Sequence, residues 1–350
     1  MDFKENFRDA LLIFDSVFLA LGLASNLFVL FIMTRRKLIR KNISNFYIFH
    51  LAVAEVLYRI ALIVLKIFNS TVESDLISNA DCKAMKFWPK VTCAAVFVLL
   101  AGIAMDRKNH IISPLKNLAV VKHRSTRIVL IWFFSVAVSF PLIFGVNVNP
   151  KQNNPTQINA SYSVPAAVTC LLPRGTLLSK MSFTIYFLFA FIVPLSIITT
   201  SYCKIFLYLR KRAAKQNMSP CYVRSKCKAL RMLVLVVVGV LLSWGPIMFS
   251  DLARVYDARF KVRDISVKEV TLSISLTSSV IHPVLYSFGN ANFRCEVERA
   301  FRGCKTCLSW EILRGKRWGF LLKRQRKSVI SKTLSIHLPW YLKKKKELLL

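Results

Sequence analysis

Apolar positions in this chain gather into seven long blocks, residues 10–33, 45–67, 82–107, 127–146, 181–209, 230–249 and 270–288, with polar stretches between them. A helix rising 1.5 Å per residue needs about 20 residues to cross roughly 30 Å of hydrocarbon, and every block approaches or exceeds that length. The pattern predicts seven membrane-spanning helices. The third block is amphipathic enough that hydropathy alone would make it the weakest of the seven. Buried helices of a large soluble protein would also be apolar, but nothing would then sort the charges between them.

The charges are sorted. The linker "TRRKLIRKN" holds five basic and no acidic residues, residues 107–127 hold six basic residues, residues 204–231 hold nine, and the chain after Asn290 holds sixteen against four acidic. The alternate linkers differ: residues 69–81 have three acidic and no basic residues, 147–180 have three basic, and 251–269 have five basic against four acidic. Short basic loops stay on the cytoplasmic side. The expected arrangement is an extracellular N-terminus (1–9), a seven-helix region (10–290) and a basic cytoplasmic tail (304–350), in the plasma membrane. Lys4 and Arg8 are interspersed with Asp2, Glu5, Asp9 and Asp15, and no small-residue cleavage site follows, so the first block reads as a retained anchor.

Composition agrees with a membrane protein. The 350 residues are 55% hydrophobic with 26 Phe, too apolar for a chain whose apolar residues only line a soluble core. The net charge of +34 would suit nucleic acid, but the basic residues follow one side of a membrane rather than a soluble face. A transporter would be expected to show paired interrupted helices or an internal repeat, and no repeat is visible at fixed spacing.

Several polar positions interrupt the apolar blocks. The stretch "SSVIHPVLYSFGN" places His282, Pro283 and Tyr286 inside what otherwise reads as one helix, and Pro194 and Pro246 sit within two others. Proline removes a backbone donor, a loss that a packed membrane bundle can absorb through neighbouring side chains or water. Asp106 and Arg107 fall at the inner end of the third block, where an adjacent acid can pair with the guanidinium or the two can serve as a plain interfacial anchor.

Taken in order, these features resemble the rhodopsin-like (class A) family of G-protein-coupled receptors over residues 10–303. Gly22 and Asn26 in "GLASN", then "HLAVAE", "AMDRK", Trp132 with Pro141, Pro194 with Tyr202, "SWGP", and "HPVLY" followed by "FGNANFR" carry the resemblance. It implies an all-α membrane fold, a seven-transmembrane helix bundle with a short interfacial eighth helix at 291–303, and no enzymatic chemistry. It implies an activation switch of Asp106, Arg107, Tyr202, Trp244, Pro246, His282, Pro283 and Tyr286, in which the arginine, restrained by its neighbouring acid, swings to meet a heterotrimeric G protein. Lys108 replaces the family's usual tyrosine, and Ser243 its usual cysteine before the tryptophan. The resemblance also implies a disulfide between Cys82 and Cys170, the two cysteines that topology puts outside, where an oxidising exterior favours the bond.

The interior polar cluster of Asn26, Glu55, Ser278, Ser279 and His282 departs from the family pattern. Glu55 stands for an aspartate, His282 for an asparagine and Val96 for a serine, in a cluster that holds a sodium ion in the family. Two readings stay open: a rearranged sodium site, or a Glu55–His282 pair sensitive to protons.

Ligand class is less legible. The family's amine receptors carry an aspartate where this chain has Pro89, and retinal binding needs a lysine where it has Leu276, so neither an amine nor retinal is expected. The second outer loop is long enough for the hairpin lid of peptide receptors. Lys83, Lys86, Lys90, Arg174 and Lys180 make the mouth basic, which suits a carboxylate or an acidic peptide. A neuropeptide-like ligand leads, with a lipid or small anionic metabolite, or a degenerate non-signalling receptor-like partner, as alternatives. Asn159 is the plausible glycosylation site and Asn69 a second one close to the membrane. The tail offers Cys304 and Cys307 for palmitate and basic and aromatic residues for anionic lipid; its Ser and Thr are only scattered, so arrestin stays open as a partner that the tail does not specifically indicate.

Overall fold

A computed structural model describes residues 2–40, 43–71, 79–113, 124–145, 147–150, 168–171, 176–214, 220–256 and 264–278, with positions 280, 281, 283, 293 and 297. The helices are α1 (Asp2–Arg35), α2 (Ile43–Thr71), α3 (Asn79–Ile112), α4 (Arg124–Ser139), α5 (Leu177–Tyr186), α6 (Val193–Ala214), α7 (Pro220–Tyr256) and α8 (Asp264–Leu276). α5 and α6 are joined by a π turn, Phe187–Ile192, into one span, which makes an all-α bundle of seven segments. Six of them, among the described residues, are long and apolar enough to cross a membrane. The seventh is α8, with helical conformation again at Ser278, Val280, Ile281 and Pro283.

Most helices outrun their apolar blocks. α1 begins at Asp2 rather than residue 10, so most of the expected extracellular terminus is helical, and α7 begins ten residues before the predicted start of the sixth block. Helical hydrogen bonding does not stop where hydrocarbon gives way to water. The third span is not the least apolar of the six; the sixth is. The third is instead the most buried, so the polar positions that made it look amphipathic face neighbouring helices. Outward, Leu12, Ile13, Val17, Leu21, Phe133 and Leu242 are exposed on the isolated chain, as suits a surface that meets lipid.

Local chemistry sets the ends and the bends. α1 closes where Lys37 takes a left-handed conformation (φ 52°) and its N–H donates to the Thr34 carbonyl. Asn45 at the start of α2 donates to the Leu38 carbonyl at 2.9 Å, holding the short 3-10 turn Leu38–Arg40 against it. Thr176 caps α5 by accepting the Ser179 N–H. In the fifth span, Pro194 has no N–H for the turn before it, and the chain widens there: the Val193 N–H reaches back five residues to the Leu188 carbonyl. In the segment where a hairpin was expected, β1 (Asn147–Pro150) pairs antiparallel with β2 (Val168–Leu171), with Val148 opposite Cys170.

α3 sits at the centre, and its interface with α2 is the largest in the bundle. Without a hydrophobic drive between helices in lipid, close approach depends on small residues. Ala52 and Ala54 on α2, and Ala94 and Ala95 on α3, are fully buried. Gly102 faces the Tyr47 ring so closely that a Cβ would lie 3.1 Å from Tyr47 Cε1. The chain divides after Phe293, itself buried, into this bundle and a unit of residues 294–350. Within the second unit only Val297 is described, in helical conformation. The predicted interfacial helix and Cys304 and Cys307 otherwise lie outside the described residues.

Gly102→Leu is expected to lower the melting midpoint of the purified protein, because overpacking against Tyr47 costs about 1–3 kcal/mol. Gly245→Ala, where nothing lies within 4 Å of the new methyl, is expected to leave the midpoint unchanged or raise it. The two melts, run side by side, check the packing at α2–α3.

Candidate functional site

At the inner end of the bundle, Asp106 is buried and accepts a hydrogen bond from the Ser44 hydroxyl of α2 at 2.5 Å. The carboxylate is thus tied across helices to a serine, whereas the family pattern ties it to Arg107. Arg107 is half-buried and Tyr202, on α6, is buried. Ser44 is a site residue that the sequence concealed, because a serine beside a basic loop reads as interfacial surface.

Trp244 lies in the middle of the bundle, 1% exposed. Its ring is 5.2 Å from Tyr58 of α2 and 5.4 Å edge-on from Phe97 of α3, and Phe97 in turn meets Phe191 of the π turn at 5.2 Å. Phe191 and Phe187 both approach Phe249 of α7. These contacts, edge-to-face except for the tilted Tyr58–Trp244 pair, join α2, α3, the fifth span and α7 through one aromatic column, with Trp244 two residues before Pro246. The Ser243 hydroxyl donates to the Gly239 carbonyl of its own helix at 2.7 Å.

The interior polar cluster is only partly described. Asn26 is fully buried and donates to the Gly22 carbonyl at 2.9 Å, and the Ser278 hydroxyl donates to Ser275 O at 2.8 Å. Pro283 is buried. Ser279, His282 and Tyr286 lie outside the described residues. Glu55 is fully buried and faces a residue that the sequence reading passed over: Arg59, one turn along α2, with Nη1 at 3.5 Å from Glu55 Oε2 and no exposed side-chain surface. Arg59 Nη2 also donates to the Leu276 carbonyl at 3.1 Å. The available signal was the Glu-x-x-x-Arg spacing inside an apolar block, which stacks the two charges on one helix face.

Two further ion pairs mark the outer half. Lys90 Nζ lies 2.6 Å from Asp251 Oδ2, joining α3 to α7, over the faces of Tyr186 and Phe183. The Tyr186 hydroxyl donates to Lys90 O at 2.9 Å. Lys66 of α2 pairs with Asp15 of α1 at 2.6 Å, and Asp15 accepts from Ser273 of α8 at 2.5 Å. The basic mouth is therefore partly neutralised, since Lys90 has an internal partner, and Lys180 lies over the Tyr256 ring at 5.7 Å. Lys83 and Lys86 are half-buried, and Arg174 lies outside the described residues. Cys82, fully buried near the N-terminus of α3, is disulfide-bonded, while Cys93 and Cys203 are free thiols. The side chain of Cys170 and residue Asn159 lie outside the described residues, as does the side chain of Asn69. Among the described residues no group of three or more His, Cys, Asp or Glu is placed to hold a metal ion.

The bundle holds an ion pair toward one end, a central aromatic column, and the Asp106–Arg107 pair of neighbours toward the other end. Sequence comparison gives the same picture. Residues 25–286, more than half of the chain, match the pattern described as 7 transmembrane receptor (rhodopsin family). Neuropeptide FF receptor 2 of Rattus norvegicus is 25% identical over 296 residues, covering 81% of this chain and 70% of the relative. Neuropeptide Y receptor type 6 of Mus musculus is 26% identical over 303 residues, covering 84% and 81% respectively. Neuropeptide Y receptor type 1 of Xenopus laevis is 26% identical over 292 residues, covering 81% and 78%. With seven helical segments carrying these motifs in order, the chain belongs to the rhodopsin family of seven-transmembrane receptors.

Proposed function

We propose that this receptor binds an extracellular neuropeptide-like ligand and activates a heterotrimeric G protein by conformational change. One observation carries the reading: the aromatic column that joins the outer half of the bundle to Trp244 and Pro246. A ligand that shifts Phe249 or Phe187 moves rings packed in series against the residue two positions before the α7 proline. A proline concentrates bending, so the inner half of α7 can swing while its outer half stays packed. That movement opens the cytoplasmic end around Arg107 and Tyr202, where a G protein docks.

The ligand class is supported by similarity to receptors named for neuropeptide FF and neuropeptide Y and by the β1–β2 hairpin of the second outer loop. A small anionic ligand is less favoured, because Lys90 is already paired with Asp251. In this reading the N-terminus is extracellular and the tail cytoplasmic, Cys82 pairs with Cys170, and Asn159 carries glycan. Palmitate on Cys304 or Cys307 and anionic lipid hold the tail to the membrane, within reach of arrestin.

Arg107→Ala is expected to abolish ligand-dependent G-protein activation while leaving surface expression near that of the parent, measured with a promiscuous G-protein reporter against a panel of peptides. A parent that activates no G protein with any peptide, lipid or metabolite tried, and has no basal activity above Arg107→Ala, would point to a non-signalling partner instead. Lys90→Asp combined with Asp251→Lys keeps the two charges in contact with reversed sign. It is expected to retain fold and expression but to weaken activation by a charged peptide at least tenfold, whereas each single change costs melting temperature as well.

A further inference from the structure

The Glu55 site has a resident cation, and it belongs to the chain. We infer that the Arg59 guanidinium occupies the place of an exchangeable monovalent cation beside Glu55, making this receptor's interior insensitive to sodium, and that the same group fastens α2 to the break in the seventh helix.

The chemistry starts with burial. Both side chains have no exposed surface, in the middle of a membrane bundle where water cannot solvate either charge. Arginine stays protonated under all physiological conditions, so its charge must be met by a carboxylate rather than avoided. Glu55 meets it at 3.5 Å from one turn away on the same helix, and the Tyr58 ring lies 5.4 Å from the guanidinium carbon as a further electron-rich surface. Glu55 and Arg59 sum to zero charge. A sodium ion bound to Glu55 would sit beside a fixed guanidinium that is already 3.5 Å from the carboxylate. In a medium of low dielectric constant that repulsion is large.

The second contact has a backbone origin. In a regular α-helix the Leu276 carbonyl would accept the Val280 N–H. Here the helix tightens: Thr277 N donates to Ile274 O at 3.2 Å, and Val280 N donates to Thr277 O at 3.3 Å. Leu276 O accepts from Arg59 Nη2 at 3.1 Å. A buried carbonyl left by such a turn needs a donor, and the arginine fork has enough N–H groups to face Glu55 and Leu276 together. The sodium-site and Glu55–His282 readings of the sequence both left Arg59 out.

The test uses the full-length receptor in lipid nanodiscs and needs no agonist. Melting midpoints are measured in sodium chloride and in choline chloride at equal ionic strength. The parent is expected to melt at the same temperature in both salts, and Arg59→Met to melt lower in choline and to recover saturably as sodium is added. Saturable stabilisation of the parent by sodium, or an Arg59→Met protein as stable as the parent and indifferent to sodium, would overturn the inference. Should Arg59→Met fail to fold, Glu55→Gln leaves the guanidinium uncompensated, while Glu55→Gln with Arg59→Met removes both charges. The double variant is expected to melt above Glu55→Gln and to ignore sodium; a Glu55→Gln protein as stable as the parent would also overturn the pairing.

Discussion

A charge inside a bilayer has no solvent to fall back on, and the packing of this receptor follows from that constraint. Asp15 is held by Lys66 and Ser273, Glu55 by Arg59, Asp251 by Lys90 and Asp106 by Ser44. Three of these four acids reach onto another helix directly, and the fourth does so through Arg59. For the fully buried Glu55–Arg59 pair, removing one member strands the other, which is far costlier than never having had the pair. The polar contacts therefore act as ties that fix which helices are neighbours and at what rotation, while Ala52, Ala54, Ala94, Ala95 and Gly102 let backbones close in around them.

The ties are also staggered by depth. The outer pairs join α1, α2 and α8 on one side and α3 and α7 on the other. The Arg59 contact lies at mid-bundle and the Ser44–Asp106 bond at the inner end. Between them runs a column of aromatic rings with no charges of its own. The polar ties therefore lie at several depths, with closely packed, uncharged rings at the centre.

The spans were legible because hydrocarbon thickness imposes a length. Sequence put Asp106 and Cys82 at opposite ends of one apolar block and Trp244 inside another, and the structure carries them on α3 and α7. It gave no sign of the Lys90–Asp251 pair, because 161 residues separate the partners and neither helix advertises the other. It missed Ser44 for a related reason: a hydroxyl next to a basic loop has many surface equivalents. Arg59 was different. Its spacing from Glu55 was visible, but an arginine four residues past an acid is commonplace on helices, and only full burial turns it into the partner of both Glu55 and the Leu276 carbonyl.

The π turn between α5 and α6 carries one residue more than an α-helical turn would, and the backbone absorbs it in the Val193-to-Leu188 bond. An extra residue corresponds to about 100° of rotation at 3.6 residues per turn. Buried positions run Ser179, Phe183, Tyr186, Ala190 on the outer side and Ile198, Tyr202, Ile205, Leu209 on the inner side, so the bundle-facing stripe continues only because the wide turn restores its phase. Roles transferred residue by residue from a relative whose fifth helix is straight would fall out of phase on one side of this turn. Equivalence between two such receptors is there a matter of azimuth, not of position number.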